Sequence, residues 1–212
     1  MRKKLNFKLR KYLKKYLNKI GVNAFDRELM VPRMTFDEYF FFKTFLSKNT
    51  NALYLESGSG GSTLIADDLF DSFISYETDK NYTNYMNQLL NADIVSCIKV
   101  GETGKFGLPV VKSQGNATKI STIFNTHLKD KKSEVVVFLD GRCRIATAPE
   151  IHSLVTDKDS VLIHDFERPH YQRILEVYDA IDLTDRLVVL KKKKVTEKVL
   201  DSLKKEFATD FR

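Results

Sequence analysis

Leu53-Tyr54-Leu55-Glu56-Ser57-Gly58-Ser59-Gly60-Gly61-Ser62-Thr63 is the stretch whose reading decides the fold. A short apolar run enters three glycines and leaves through residues that open a helical segment. Glycine permits a tight turn and lets the backbone approach a ligand closely. The amide groups at the start of the following helix favour an anionic or polar ligand. An ordinary strand-to-helix loop can also be glycine-rich, so the surroundings have to decide. Nineteen residues beyond Gly58, in Ile74-Ser75-Tyr76-Glu77-Thr78-Asp79, Glu77 stands at the end of the next apolar run. A carboxylate there can accept two hydrogen bonds from ribose hydroxyls; the plainer reading is a solvated loop carboxylate. Asp79 reads as the cap of the next helix.

Outward from this turn, short apolar runs bounded by turn residues alternate with longer helical patterns, which means a parallel sheet. The predicted strands are residues 52–55, 72–76, 94–100, 134–139 and 160–164, apolar runs of the buried type. The predicted helices are residues 35–47, 62–70, 80–90, 117–128, 146–155 and 169–178, the last with Pro169 at a favoured first-turn position. Two further runs, residues 180–183 and 187–190, are separated by Thr184-Asp185-Arg186, a spacing that suits a hairpin and an antiparallel edge. Apolar residues Val195, Val199, Leu200, Leu203 and Phe207 then give a closing helix. Nothing between residues 22 and 212 has the composition of a linker, so one domain is expected there after a basic arm.

A dinucleotide-binding turn requires Gly-x-Gly-x-x-Gly, and the third glycine counted from Gly58 and Gly60 falls on Thr63. What stands here is a strand-end acid followed by Gly-x-Gly, Glu56-Ser57-Gly58-Ser59-Gly60. In this the chain resembles the class I S-adenosylmethionine-dependent methyltransferases over roughly residues 50–192. The resemblance implies a three-layer Rossmann-like α/β fold, with a mostly parallel seven-stranded sheet ending in an antiparallel hairpin. It implies S-adenosylmethionine as cofactor, with the methionine portion over Gly58 and Gly60 and the ribose on Glu77. Glu56, Ser59 and Asp140 complete the expected cofactor-binding set. The third family glycine is replaced by Ser62. Residues 138–144 (Phe138-Leu139-Asp140-Gly141-Arg142-Cys143-Arg144) and 163–171 look like motifs of a poorly characterised bacterial and viral branch of the family. Residues 101–109 would form a loop near the adenine.

In a doubly wound sheet the ligand lies outside the carboxyl ends of the strands, which points to Glu56, Glu77, Asp140, His164 and Asp165. Asp140 and Asp165 end what the resemblance makes the fourth and fifth strands, which would be neighbours about 5 Å apart. Two such carboxylates can hold Mg²⁺, as in the catechol-type branch of the family; alternatively Asp140 pairs with Arg142 or Arg144, and Asp165 with Arg168 or Arg173. His164, Asp165 and His170 are the candidates for a base that serves a hydroxyl acceptor. His164 could equally be a hydrogen-bonded core group, and His170 a structural residue at a helix start. Arg142 and Arg144 could clamp an acidic substrate or pair internally. The expected reaction is methyl transfer to a hydroxyl of a small molecule or glycan, accelerated mainly by holding donor and acceptor in line.

The formal charge of +7 suggests nucleic acid, but its distribution does not. Residues 1–21 hold nine of the 35 basic residues and no acid, which leaves 26 bases against 28 acids in the rest of the chain. The body is neutral and lacks a basic stripe interleaved with aromatics, which argues against a nucleic-acid partner. Within the arm, Leu5, Leu9, Tyr12, Leu13, Tyr16, Leu17 and Ile20 recur at helical spacing, giving a basic amphipathic helix. That helix packs on the domain, docks on an anionic membrane surface or an acidic partner, or serves as an organellar presequence. The rival to an enzyme is accordingly a non-catalytic module of the same fold, docked through its arm. Two cysteines, Cys97 and Cys143, form neither a disulfide framework nor a zinc spacing and suggest a reducing, cytoplasmic setting. No eighteen-residue apolar run is present, so no spanning helix is expected.

Overall fold

The computed structural model describes residues 7–10, 12–13, 15–16, 27 and 30–212. Helix α1 (Phe36–Ser47) opens with a reciprocal cap. The Thr35 hydroxyl accepts from the Glu38 amide at 3.1 Å, and the Glu38 carboxylate accepts from the Thr35 amide at 2.6 Å. Strand β1 (Leu53–Ser57), helix α2 (Gly61–Leu69), strand β2 (Phe73–Glu77), helix α3 (Lys80–Leu90) and strand β3 (Val95–Cys97) follow in alternation. Asp79 caps α3, accepting from the amides of Asn81 and Tyr82. After a loop come α4 (Gln114–Ser121), α5 (Asn125–Lys129), β4 (Val135–Leu139), α6 (Arg144–Ile151) and β5 (Ser160–Ile163). A 3₁₀ segment (Pro169–Glu176), the hairpin β6 (Tyr178–Thr184) and β7 (Leu187–Lys192), and helix α7 (Glu197–Phe207) complete the chain.

The seven strands lie in the order β3-β2-β1-β4-β5-β7-β6. The first five pair in parallel, and β7 pairs antiparallel with both β5 and β6, as the two short runs predicted. Successive residues of a strand point to opposite faces, and the core divides accordingly. Leu55, Val135, Val137, Leu139, Val161 and Ile163 face α4, α5, α6 and α7. Tyr54, Val136, Phe138, Leu162, Leu187 and Val189 face Phe42 and Leu46 of α1 and Ile65 and Ala66 of α2. Helices on both faces of a mostly parallel sheet make the three-layer α/β architecture expected.

Local differences have local causes. The helix expected over residues 117–128 is two, because the chain turns at Thr122–Phe124 to bury Phe124 completely. The run from Ile94 contributes only Val95–Cys97 to the sheet, as an edge strand. The segment begun by Pro169 is 3₁₀ rather than α, with Tyr171 and Ile174 as its buried residues.

Candidate active site

Pairing register places the carboxyl ends of four strands on one edge: Ser57 lies opposite both Tyr76 and Leu139, and Leu139 opposite Ile163. The residues that follow, Gly58, Glu77, Asp140 and His164, all line one cavity of about 590 Å³. It lies where the strand order reverses between β1 and β4, the place at which doubly wound sheets bind ligands.

Gly58 forms its floor. Its φ of 91° lies in the region that side chains disfavour, and a Cβ there would come within 2.4 Å of the Gly141 amide nitrogen. Gly141 is matched in kind, since its own Cβ would stand 2.8 Å from the Gly58 nitrogen. The turns after β1 and β4 therefore touch backbone to backbone, which accounts for the Asp-Gly that follows β4. Ser59 also lines the cavity, its hydroxyl 2.8 Å from that of Ser75.

Glu56 and Gly60 were expected at the ligand and are not on the cavity wall. Glu56 is fully buried beneath the turn. It accepts from the hydroxyls of Tyr54 (2.9 Å), Ser75 (2.7 Å) and Thr63, and Thr63 in turn accepts from the Gly60 amide at 2.8 Å. The physical reason is strand periodicity: Glu56 shares the face of Tyr54, which α2 covers. Glu56 thus ties strand, turn and helix together instead of touching a ligand. Burial raises its pKa to about 7 against the pull of its hydroxyl donors. The folded state then holds this proton more tightly than the unfolded chain. The stability it brings is full below about pH 4.5 and is lost as pH rises through about 7. In Glu56→Gln this descending slope should flatten when thermal unfolding is followed against pH; a slope matching the parent's would assign it to other groups.

Glu77 ends β2 facing the cavity. Its Oε1 accepts from the Thr78 amide (2.7 Å) and the Asp79 amide (3.0 Å), which fixes the side chain. The other oxygen, Oε2, takes no hydrogen bond from the described residues. Desolvation raises the carboxyl above its ordinary pKa, opposed by these donors. The loop of residues 101–109 closes over it: the Thr78 hydroxyl donates to the Gly107 carbonyl at 2.6 Å, and Phe106 and Gly107 join the cavity wall.

At the other end lies an ionic network. Arg144 donates to the carbonyls of Gly141 (2.8 Å), His164 (2.7 Å) and Asp140 (2.7 Å), and pairs with the carboxylates of Asp140 (3.1 Å) and Asp165 (3.0 Å). Asp165 also pairs with Arg168 (2.6 Å) and Arg186 (3.1 Å). Arg186 reaches on to the buried Glu38 of α1. The His164 ring is 3.1 Å from Asp140 through Nδ1 and 3.6 Å from Glu38 through Nε2. Burial opposes charge on His164, but the hydrogen bond to Asp140 and the carboxylates of Asp140, Asp165 and Glu38 prevail, so its pKa lies above the ordinary value. Asp140 is held below the usual carboxylate range, with burial opposing and Arg144 and His164 prevailing.

These contacts redistribute the predicted roles. His164 is buried with Nδ1 on Asp140 and its pKa raised by the carboxylates around it, which favours a role as a buttress for Asp140. Asp165 is saturated by three guanidinium groups. His170 does not line the cavity; its ring stands edge-on to Tyr171 at 4.4 Å between centroids. Ligand atoms of Asp140, His164 and Asp165 do lie within 4.8 Å of one another. The Arg144 guanidinium already bridges both carboxylates, so Mg²⁺ would bring two like charges together, and these residues do not fit a metal. Glu38 and Arg186 went unpredicted. Glu38 follows Thr35 in a capping-box spacing and Arg186 sits in the hairpin turn, but only the fold brings them together.

A seven-stranded sheet in this order, with a strand-end cavity floored by a glycine turn and an acid at the end of β2, is the fold of the class I methyltransferases. A methyltransferase-like protein from Silicibacter pomeroyi has this structure, with a TM-score of 0.71 at 21% identity over 85% of this chain and 98% of that one. A ribosomal protein L11 methylase from Lactobacillus delbrueckii subsp. bulgaricus reaches a TM-score of 0.42 at 12% identity, covering 72% of this chain and 77% of that one. The MycE methyltransferase of mycinamycin biosynthesis, solved with Mg and SAH, reaches 0.44 at 14% identity, covering 78% and 52%. Only the first likeness carries weight, and at its identity it establishes the fold. No protein-family model and no curated protein matches the sequence.

Proposed function

We propose that the chain is an S-adenosylmethionine-dependent methyltransferase that methylates an oxygen of a small molecule or glycan. The observation that carries this reading is Glu77: one oxygen is locked by two backbone amides and the other is left for a ligand, beside a glycine turn that admits close backbone approach. When bound, the cofactor supplies an electrophilic methyl group on a sulfonium sulfur. The protein's part is then to orient. Glu77 holds ribose hydroxyls, Gly58 and Ser59 meet the amino-acid portion, and Ile98 and Ile120 offer apolar wall. A hydroxyl becomes strongly acidic as it is methylated, so even a weak base suffices. Asp140, on the cavity wall with 26% of its side chain exposed, is placed to take that proton. Glu77→Ala should weaken S-adenosylmethionine binding by about 1.5–3 kcal/mol, roughly ten- to 150-fold, in calorimetric titration. Unchanged affinity would remove Glu77 from the site.

A second reading concerns the arm. Part of residues 1–21 lies outside the described residues, but those described from Phe7 to Tyr16 are helical. Leu9, Tyr12, Leu13 and Tyr16 are exposed by 52, 68, 39 and 52%, alongside exposed Lys8, Arg10 and Lys15. An apolar stripe left in solvent among cations complements an anionic lipid surface, and we propose that the arm docks there. No described helix is long and apolar enough to cross a membrane. The full chain should co-sediment with phosphatidylserine-containing vesicles and not with phosphatidylcholine alone, and replacing the four apolar residues by serine should abolish this. Equal sedimentation with both vesicles would rule the docking out.

A further inference from the structure

The ionic network accounts for Arg144, Arg168 and Arg186, each of which has a carboxylate partner. Three more cations gather at the cavity mouth without one. Arg142 donates from Nε to the Phe106 carbonyl at 2.9 Å and from a terminal nitrogen to the Lys105 carbonyl at 3.3 Å. Arg33 lies over the Phe106 ring at 4.6 Å, and the Lys105 ammonium lies 5.0 Å from the same ring. Among the described residues no carboxylate comes within ion-pair distance of Arg33, Lys105 or Arg142. Arg33 and Arg142 both line the cavity, as do Phe106 and Asp140.

The residue that gathers them is itself unusual. Phe106 is 57% exposed and holds a φ of 58°, a left-handed conformation that costs a bulky residue energy. Non-glycine backbone in this region persists where the surrounding structure over-determines it, and such positions cluster at ligand sites. Here the conformation presents an apolar ring and a carbonyl between two arginines at the opening. Burial and the neighbouring Arg144 lower the pKa of Arg142 from its ordinary value, so a nearby negative charge would be favourable there. An arginine without a carboxylate partner keeps N–H groups to offer a carboxylate or phosphate, and Arg142, with Nε and one terminal nitrogen on the two carbonyls, still has the rest of its guanidinium free of acids.

We propose that Arg33, Lys105 and Arg142 form the acceptor subsite of this cavity and select a small anionic acceptor, one carrying a carboxylate or phosphate beside an apolar portion that rests on Phe106. The proposal rests on the methyltransferase reading for the word acceptor, but the anion subsite can be tested without the cofactor. Phenyl phosphate and benzoate are titrated into the full chain by calorimetry, against phenol and benzamide as neutral counterparts. Both anions should bind, more weakly as salt is raised, and both neutral compounds should fail. In Arg142→Gln and in Arg33→Gln, affinity should fall at least tenfold with thermal unfolding unchanged; Lys105→Gln, on an exposed side chain, gives a third reading where either arginine variant folds poorly. A preference for phenyl phosphate over benzoate would assign the subsite to phosphate, and the reverse to carboxylate.

Binding of the neutral compounds equal to that of the anions, or anion binding untouched by all three substitutions, would overturn the proposal. So would a loss of S-adenosylhomocysteine affinity in the arginine variants with no anion binding in the parent, which would give these arginines to the cofactor's own carboxylate. Anion binding in a chain that binds no S-adenosylhomocysteine would uphold the subsite and sink the methyltransferase reading instead.

Discussion

Arg144→Ala is expected to lower the free energy of unfolding by about 3–5 kcal/mol, the usual cost of removing one partner from a buried ionic cluster. Arg144 is 9% exposed and spans the ends of β4 and β5, with two carboxylates and three carbonyls on one guanidinium. Without it, Asp140 and Asp165 stand together with less compensation and the three carbonyls lose their donor. The defect should depend on pH. In the parent protein the depressed pKa of Asp140 gives stability that is present above the ordinary carboxylate range and lost as pH falls through the folded value. Once the guanidinium is gone that depression shrinks to what His164 and Arg186 supply, so the difference between the two proteins should be larger at pH 7 than at pH 4. Urea unfolding at both values measures it. Arg144→Lys should recover only part, because a single ammonium cannot reach all five acceptors. A loss below 1 kcal/mol at pH 7 would show that the network is dispensable.

Gly58→Ala is the second large effect. A side chain at a φ of 91° costs about 1–3 kcal/mol. Forcing a methyl against backbone costs about 1–3 more. The new Cβ would meet the Gly141 nitrogen at 2.4 Å and the Asp140 carbonyl carbon at 2.6 Å, neither of which can swing away as a side-chain tip can. The turns after β1 and β4 must separate, which moves the cavity floor and Asp140 together. Cofactor binding should therefore be lost at a temperature where the variant is still folded, as circular dichroism and calorimetry on one sample would show. Binding retained in a folded Gly58→Ala protein would mean that the two turns need not touch.

The contrast between Glu77 and Glu56 shows how far the sequence alone can carry the site. Both are acids at strand ends, and both read as ligand-facing for that reason. Glu77 is the last residue of its strand and turns into the cavity; Glu56 is one residue short of its strand's end and goes under α2. The period of two along Tyr54-Leu55-Glu56 contains that information, since Tyr54 and Glu56 must share a face. Alternation of apolar runs likewise made the layers readable, because burial on both faces of the parallel strands leaves continuous runs in a sequence; the antiparallel hairpin was readable from the spacing of its two short runs about Thr184-Asp185-Arg186, although β6 itself is mostly exposed. The ionic network was not readable in this way. Glu38 and Arg186 are separated by 148 positions, and their pairing exists only because α1 covers the sheet edge where the hairpin turns. The same limit applies to Arg33, Lys105 and Arg142, whose gathering on Phe106 depends on a loop conformation that composition does not announce.

The measurement that bears most directly on function is calorimetric titration of the full-length protein with S-adenosylmethionine and S-adenosylhomocysteine, in the presence of EDTA and again with Mg²⁺, with NAD as the control ligand. Both sulfur compounds should bind, NAD should not, and the affinities should be indifferent to Mg²⁺ because Arg144 already bridges Asp140 and Asp165. No binding of either sulfur compound would contradict the methyltransferase reading and leave the fold serving a docking module; binding that appears only with Mg²⁺ would contradict the description of the Arg144 network.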